Sequence, residues 1–369
     1  MNSTSSFARQ LIISLQQYIK SIGFTPVIHF ELEGCYQFNS SFGGTTSLNF
    51  PLINQAFKKL NINGQLIAEY WSNQWEFVSS FDGQLPLKEA DNLTRVIAIL
   101  PQLLAQQGVE KTLIKPVVWS GDKGKLAPDC ANVFSGDSRD VHIPNAIQMN
   151  ISVNNNDKKN IISDAGFGEY LQQCFLTKSL PCSLLYLPEE EAFERFALKS
   201  KYGLEEELCS PSDISGGHQG SIALYKKWGK HNQAMGEQAL IYDHQHRAIK
   251  TQQNWQESAR IEHRLGASSQ LYNAYVNVAF ALLNIIDALE VYMDGACQQL
   301  TNKIDMVTAL PTSLYSSSNS VGAIDLFYQH HWFAERSNEI SKKMGMTDKI
   351  GDQLKRSILS PYQIPEIIY

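Results

Sequence analysis

The sequence lacks an excess of charge of either sign. Lysine and arginine number 31 and aspartate and glutamate 37, a net charge of −6 over 369 residues. Without a basic surplus there is little to neutralise a run of phosphates, which argues against a general nucleic-acid binder. Cysteine is scarce and scattered. Cys35, Cys130, Cys174, Cys182, Cys209 and Cys297 form no pairs at metal-ligand or disulfide spacing. This pattern disfavours a disulfide-stapled or zinc-ribbon scaffold and suits reducing, cytoplasmic surroundings. No repeat of solenoid period is visible. The most apolar stretch, Ala274 to Met293, is interrupted by Asn277, Asn284, Asp287 and Glu290, as in a buried core helix rather than a membrane span. The first twenty residues carry a short apolar patch but no small-residue cleavage site, unlike a secretory signal.

What is present is ample material for a core. Hydrophobic residues make up 43% of the chain and charged residues 18%, which excludes a disordered chain. Apolar side chains at Leu11, Ile12, Leu15, Tyr18 and Ile19 predict a helix over 7–22 that Gly23 closes. Val27 to Glu33 alternates as a strand, and Gln65 to Ser79 reads as one strand or two with a turn at Ser72-Asn73. Leu93, Val96, Ile97, Leu100, Leu103 and Leu104 share one helical face, with Gly108 beyond the end. Thr112 to Pro116 reads as a short strand stopped by proline, and Asn154 to Asp157 as a turn. A serine-rich break at 316–320 precedes the last helical segments, one of which carries His330 and His331. Two polar, Gly- and Ser-containing stretches, near 119–143 and 203–220, read as surface insertions.

The residues that carry chemistry are acidic and sit on the strands. Glu31 and Glu33 are two apart, so both project from one face of a strand. Two same-face carboxylates repel unless a cation lies between them, and hard oxygen donors of this kind suit Mg²⁺ or Mn²⁺. A solvated strand face would carry the same pair. Glu69 and Glu76 form a second pair within EYWSNQWE. Glu262 and Arg264, again two apart, set a carboxylate and a guanidinium on one face. Each pair alone fits a surface salt pair. Together they point to a carboxylate-walled cavity with arginine, the equipment of phosphate-plus-metal chemistry. The histidines His244, His246 and His263 lack further ligands at zinc spacing and read as surface or core residues.

In their order along the chain these motifs resemble the catalytic domain of glutamine synthetases. The resemblance runs through HFELEG (Glu31, Glu33), the E-x6-E pair ending in QWEF (Glu69, Glu76) and Ala90-Asp91 opening the helix predicted over Asp91 to Ala105. It continues through a strand ending in Lys115-Pro116 and through RIEHR with the Ala-rich helix after it, up to Leu289. It implies an α+β fold, with a curved antiparallel sheet whose concave face is acidic and helices packed outside. It implies one metal held by Glu33, Glu69 and Glu76, and a second, bridging the phosphates of ATP, held by Glu31, Glu262 and the residue at position 148. Arg264 and Arg247 would offset the charge of the transferred phosphoryl group. Asn150, Ser152, Lys227 and Arg264 would contact the nucleotide, and Glu237 matches a catalytic flap residue, although a surface position fits it as well.

The departures are equally specific. Where that family has a glycine-rich segment with a metal-ligating histidine, this chain has Asn145-Ala-Ile-Gln-Met-Asn-Ile-Ser152, so Gln148 replaces the histidine and the glycines are gone. An amide oxygen is a neutral and weaker donor than a carboxylate, yet it can still ligate Mg²⁺. Glu31 comes after only one helix and the start of a strand, so the resemblance implies one large catalytic-type domain over 1–369 without the family's small β-grasp domain ahead of it. The function implied is an ATP-dependent ligase joining the γ-carboxylate of glutamate to ammonia or another amine, in a homo-oligomer without nucleic acid or membrane partners. The alternative is a catalytically weakened homologue that binds nucleotide or glutamate, or that regulates a partner.

Overall fold

The computed structural model describes residues 3–38, 47–69, 73–119, 142–164, 166–202, 222–226, 239–242, 248–251, 255–300, 310–346 and 349–362. The chain opens with helix α1 (Ser3–Ser21), strand β1 (Phe24–Phe38) and helix α2 (Phe50–Lys59). Strands β2 (Gln65–Ala68) and β3 (Gln74–Val78), helix α3 (Pro86–Ala105), and strands β4 (Val109–Leu113) and β5 (Val117–Trp119) follow. Next come β6 (His142–Pro144), β7 (Ala146–Asn155), α4 (Phe167–Ser179), α5 (Glu191–Tyr202), β8 (Ile222–Tyr225), β9 (Ala239–Tyr242), β10 (Ala248–Thr251), α6 (Trp255–Ser258) and β11 (Arg260–Ala267). The remainder is helical: α7 (Ala274–Met293), α8 (Cys297–Leu300), α9 (Ala323–Gln329), α10 (Trp332–Lys343) and α11 (Ile350–Leu359).

The main sheet has the order β2-β3-β1-β7-β11-β8, with β4 also paired to β1. Its pairings are antiparallel. β1 is the spine, because it is long enough to pair with β7 along its first half and with β3 and β4 along its second. β5 and β6 pair with each other, which brings the flanks of the 120–141 stretch together; that stretch and the 203–221 stretch lie outside the described residues.

Alternation sorts the sheet into two faces. Cross-strand rows Phe77–Leu32–Ile147, Phe30–Met149–His263 and Ile28–Ile151–Ile261 face the helices. These residues are buried, and α1, α3, α4 and α7 pack together as the layer beneath. α7 is long and apolar enough to cross a membrane, but 72% of its apolar window is buried inside this fold. Asn277, one of the polar interruptions, donates to the carbonyl of Leu185 at 2.8 Å, and Asn284 donates its amide to the carbonyl of Phe280 at 2.9 Å while its Oδ1 stays buried without a hydrogen-bond partner.

Several sequence expectations acquire sharper boundaries. Helix α1 ends at Ser21, and the chain turns at Gly23, whose φ of 92° only glycine adopts without strain. The Gln65–Ser79 stretch is the two-strand alternative, β2 against β3. Helix α3 begins at Pro86 rather than near Asp91, with proline in the first turn where its missing N–H costs nothing. Asp91 instead accepts a hydrogen bond from Tyr275 Oη at 2.7 Å and pairs with Arg9, which ties α1, α3 and α7 together. The strand near Pro116 ends at Leu113, and the chain resumes as β5 after the proline. His330 and His331 occupy the joint between α9 and α10 rather than a helix. Cys35, Cys174, Cys182 and Cys297 are buried.

Gly34 shows how tightly β1 and β3 are fitted. A Cβ there would stand 2.4 Å from Trp75 Cζ2 and 2.9 Å from the Leu113 carbonyl, and Trp75 Nε1 donates to the Cys35 carbonyl at 3.2 Å. Gly34→Ala should therefore lower stability by about 1–3 kcal/mol, the usual cost of overpacking. Urea unfolding reads this directly, and an unchanged midpoint would contradict the close approach.

Candidate functional site

The face of the sheet opposite the helices is polar, and the register assembles it. Glu33 is opposite Glu76, Glu31 is opposite Gln148, and His29, Asn150 and Glu262 form one row across β1, β7 and β11. Directly opposed like charges destabilise a strand pair, and the surrounding groups answer that repulsion with donors. Gln148 Nε2 donates to Glu33 Oε1 at 3.1 Å, and the Ala146 N–H donates to Glu33 Oε2 at 2.8 Å. Asn150 Nδ2 donates to Glu31 Oε1 at 2.9 Å, and its own Oδ1 accepts from Arg260 Nε at 2.6 Å. Glu262 takes Arg264 on one oxygen at 3.0 Å and Arg260 on the other at 3.7 Å.

Electrostatics follow from this packing. Burial raises the pKa of Glu33, and the charge of Glu69 raises it further, against the Ala146 N–H, Arg195 and Arg264. Burial alone would depress Arg264, but Glu262, Tyr225, Glu31 and Glu33 outweigh it and raise its pKa, so the guanidinium keeps its charge. Among the expected site residues, Glu31, Glu33, Glu76, Gln148, Asn150, Ser152 and Glu262 share this face by register, with Arg264 bonded to Glu262 and Glu69 just beyond the end of β2. Lys227, Glu237 and Arg247 lie outside the described residues, as do His244 and His246. His263 points the other way, into Phe175, Tyr186 and Phe280, where burial pulls its pKa down to about 3; it is a core histidine.

Three further residues belong to this arrangement. Arg260 extends the two-residue spacing of Glu262 and Arg264, a signal readable in the sequence. Its guanidinium lies 4.8 Å from the Tyr225 ring centroid and 5.9 Å from that of Phe81. Tyr225 Oη accepts from Arg264 at 3.2 Å. Arg195, on α5, has no sequence signal of its own. It donates to the carbonyls of Arg264 at 2.8 Å and Gly266 at 3.0 Å, where β11 shifts register. A buried guanidinium thus holds the irregular backbone that carries Arg264.

A cleft of about 120 Å³ opens beside this network, lined in part by Val27, His29, Phe81, Asn150, Ser152 and Arg260. That is smaller than the roughly 300–1,000 Å³ of a whole drug-sized ligand pocket, so it suits one ring or group of a larger ligand. The cleft combines ring faces, amide and hydroxyl groups and a guanidinium. The face beside it offers hard oxygen donors for a cation. Among the described residues, however, no three of His, Cys, Asp or Glu converge closely enough to hold a metal ion.

Neither a family model nor any curated protein sequence matches the chain. Solved structures do. One glutamine synthase homologue superposes with a TM-score of 0.62 at 13% identity, covering 97% of this chain and 72% of that one. GmaS without ligand gives 0.56 at 13%, and GmaS in complex with ADP gives 0.59 at 12%, each over 97% of this chain and 75% of the other. The fold is that of glutamine synthase homologues. At this identity the likeness establishes the arrangement of helices and antiparallel sheet.

The loop before α3 forms one wall of the cleft through Phe81 and Gly83. It is anchored by Glu89, which is 1% exposed and accepts from Gln84 Nε2 at 2.7 Å. Burial, with Asp82 adding to it, pushes the Glu89 carboxyl up to about 8. The native state therefore keeps a proton that the unfolded chain releases above about 4.5. Stability from this group is complete below the unfolded value and is lost as pH rises through about 8. Glu89→Gln should remove that slope, so wild type should lose ground to the variant between about pH 5 and about pH 9. Urea midpoints at the two pH values test this, and an equal gap at both would contradict it.

Proposed function

We propose that this chain is an ATP-dependent carboxylate–amine ligase of the glutamine synthetase type, acting as a single catalytic-type domain whose curved sheet presents its acidic concave face to the substrates. The observation that carries the reading is the shared face: Glu31, Glu33, Glu76, Gln148, Asn150 and Glu262 aligned by register, with Arg264 bonded to Glu262. A fold shared with GmaS, whose complex contains ADP, supports a nucleotide as one substrate. The cleft beside His29, Phe81, Ser152 and Arg260 would take the base or ribose end of that nucleotide, and Arg260 and Arg264 would face its phosphates.

The chemistry follows from charge. A carboxylate substrate, glutamate by resemblance, attacks the terminal phosphoryl group of ATP and ADP leaves; ammonia or another amine then attacks the acyl carbon, expels inorganic phosphate and gives up a proton to leave the amide. Phosphoryl transfer depends chiefly on positioning and on fixed positive charge at the phosphate oxygens. Arg264 supplies that charge, held by Glu262, Tyr225 and the backbone that Arg195 clamps. Arg247, Lys227 and Glu237 would complete the site. A divalent cation, Mg²⁺ or Mn²⁺, would screen the carboxylates. By the donor set, Glu33, Glu69 and Glu76 would hold it once their side chains turn inward. Assembly into a homo-oligomer and residence in the cytoplasm belong to the same proposal.

A second reading has an observation in its favour. Glu33, Glu31 and Glu262 already accept donors from Gln148, Asn150 and Arg264, as in a site that binds nucleotide or glutamate without turnover. Two measurements on the purified chain separate the readings. Calorimetry with Mg-ADP should show binding, and a hydroxylamine assay with glutamate and ATP should show γ-glutamyl hydroxamate. Arg264→Lys should lower turnover about tenfold or more, because a point ammonium lacks the guanidinium's fixed fork of donors. Binding without hydroxamate would favour the non-catalytic reading, and absence of both would refute nucleotide chemistry altogether.

A further inference from the structure

The loop before α3 is fixed at its two ends. At Ser79 the backbone N–H donates to the Phe30 carbonyl at 3.0 Å, and the hydroxyl accepts from the Phe30 N–H at 2.9 Å. Beyond Pro86, the Leu87 N–H donates to Gln16 Oε1 on α1 at 2.8 Å. Between these anchors Phe81 forms part of the cleft wall, its ring centroid 4.5 Å from that of His29. Gly83, with a φ of 78°, stands at an open turn where a Cβ would meet nothing within 4 Å. Asn63 Nδ2 donates to both oxygens of Asp82, at 3.2 and 3.3 Å.

The remaining hold is the contact between Gln84 and Glu89, and it is incomplete for a carboxylate. Gln84 Nε2 donates to Glu89 Oε1 at 2.7 Å, yet Gln84 Oε1 and Glu89 Oε2 are both buried with no hydrogen-bond partner. Two orphaned acceptors in one pair are costly. A single proton answers both. A carboxylic acid is donor and acceptor at once, as is a primary amide, so Glu89 Oε2–H can donate to Gln84 Oε1 while Gln84 Nε2 donates back. A carboxylate has no such donor, and it adds a charge to a buried site.

The neighbours of Glu89 are few in charge. Asp82 opposes its ionisation and the Ser79 hydroxyl favours it, while burial outweighs both. From α1 the neutral Gln16 reaches Leu87, and Arg9 is engaged by Asp91. Lys88, next along α3, is exposed. On the cleft side, His29 and Arg260 face Phe81.

We propose that the 79–85 loop is a proton-gated wall of the cleft: a neutral acid–amide pair between Glu89 and Gln84 holds it closed with Phe81 against His29, and ionisation of Glu89 releases it. The transition falls at about pH 8. The closed form then holds about nine-tenths of the molecules at pH 7 and about one-tenth at pH 9. The effect on ADP rests on the nucleotide reading of the cleft, whereas the gate itself is measured without nucleotide.

Infrared difference spectra of the intact chain, wild type minus Glu89→Gln, test the proton. A protonated-carboxyl band is expected at about pH 7 and is lost by about pH 9. Fluorine NMR of the chain carrying fluorophenylalanine, with the Phe81 resonance assigned by its loss in Phe81→Leu, tests the wall. That resonance should move with the carboxyl band in wild type. In Glu89→Gln an amide–amide pair keeps the loop closed, so the same movement should be missing; titration of His29 would shift both proteins alike. Gln84→Leu, which cannot pair, should show the released signal already at about pH 7. In calorimetry the ADP affinity of wild type should fall about tenfold between about pH 7 and about pH 9, and that of Glu89→Gln by less than about twofold. No carboxyl band, a Phe81 resonance that moves equally in Glu89→Gln, a closed signal in Gln84→Leu, or ADP affinity equal at both pH values would overturn the proposal. A gate that titrates as expected in a chain that binds no ADP would overturn the nucleotide reading and leave the gate standing.

Discussion

Carboxylates on one face of an antiparallel sheet repel one another, and much of the functional half of this molecule can be understood as an answer to that repulsion. The register of β1 leaves no choice about where Glu31 and Glu33 point, because their alternates Phe30 and Leu32 are committed to the core. A slip of one residue would bury the glutamates and expose the core row. The hydrophobic layer therefore fixes the acidic face. The face is then stabilised by donors that arrive from β7 and β11: Gln148 and Asn150 as amides, Arg260 and Arg264 as guanidiniums.

The same constraint explains the supporting shell. β11 must depart from regular pairing between His263 and Gly266, and the carbonyls at that irregularity would be orphaned without Arg195. Burial pulls the Arg195 pKa down to about 10, still above neutrality, and Glu33 opposes the fall. A helix thus contributes, through Arg195, to the electrostatics of the acidic face. Likewise Asp91 and Tyr275, which stand in two separate motifs along the chain, are bonded to each other beneath the sheet, so part of the motif order reflects the packing of α1, α3 and α7 rather than chemistry.

Much of this was legible in the sequence where period and chemistry agree. Two-residue spacing placed Glu31 with Glu33 and Glu262 with Arg264 on common faces, and the hairpin, α1 and the buried α7 followed from apolar periodicity. Other parts were obscured for physical reasons. The piece from Ala146 to Ser152 alternates as a strand should, but matching it to a glycine-rich segment hides that alternation. The start of α3 is set by Pro86, five residues before the motif residue Asp91. Arg195 acts through backbone carbonyls remote in sequence, and no local pattern announces such a contact. The replacement of a histidine by Gln148 was visible at once, whereas its meaning depends on which way the amide turns, and that is a tertiary fact.

The central claim is that this acidic face binds a divalent cation and a nucleotide together. Anomalous scattering at the manganese edge, from crystals grown with Mn²⁺ and ADP, tests it most directly. The account predicts manganese among the carboxylates of Glu31, Glu33, Glu69, Glu76 and Glu262, with the ADP phosphates turned toward Arg260 and Arg264. No manganese on this face, or ADP density away from it, would contradict it.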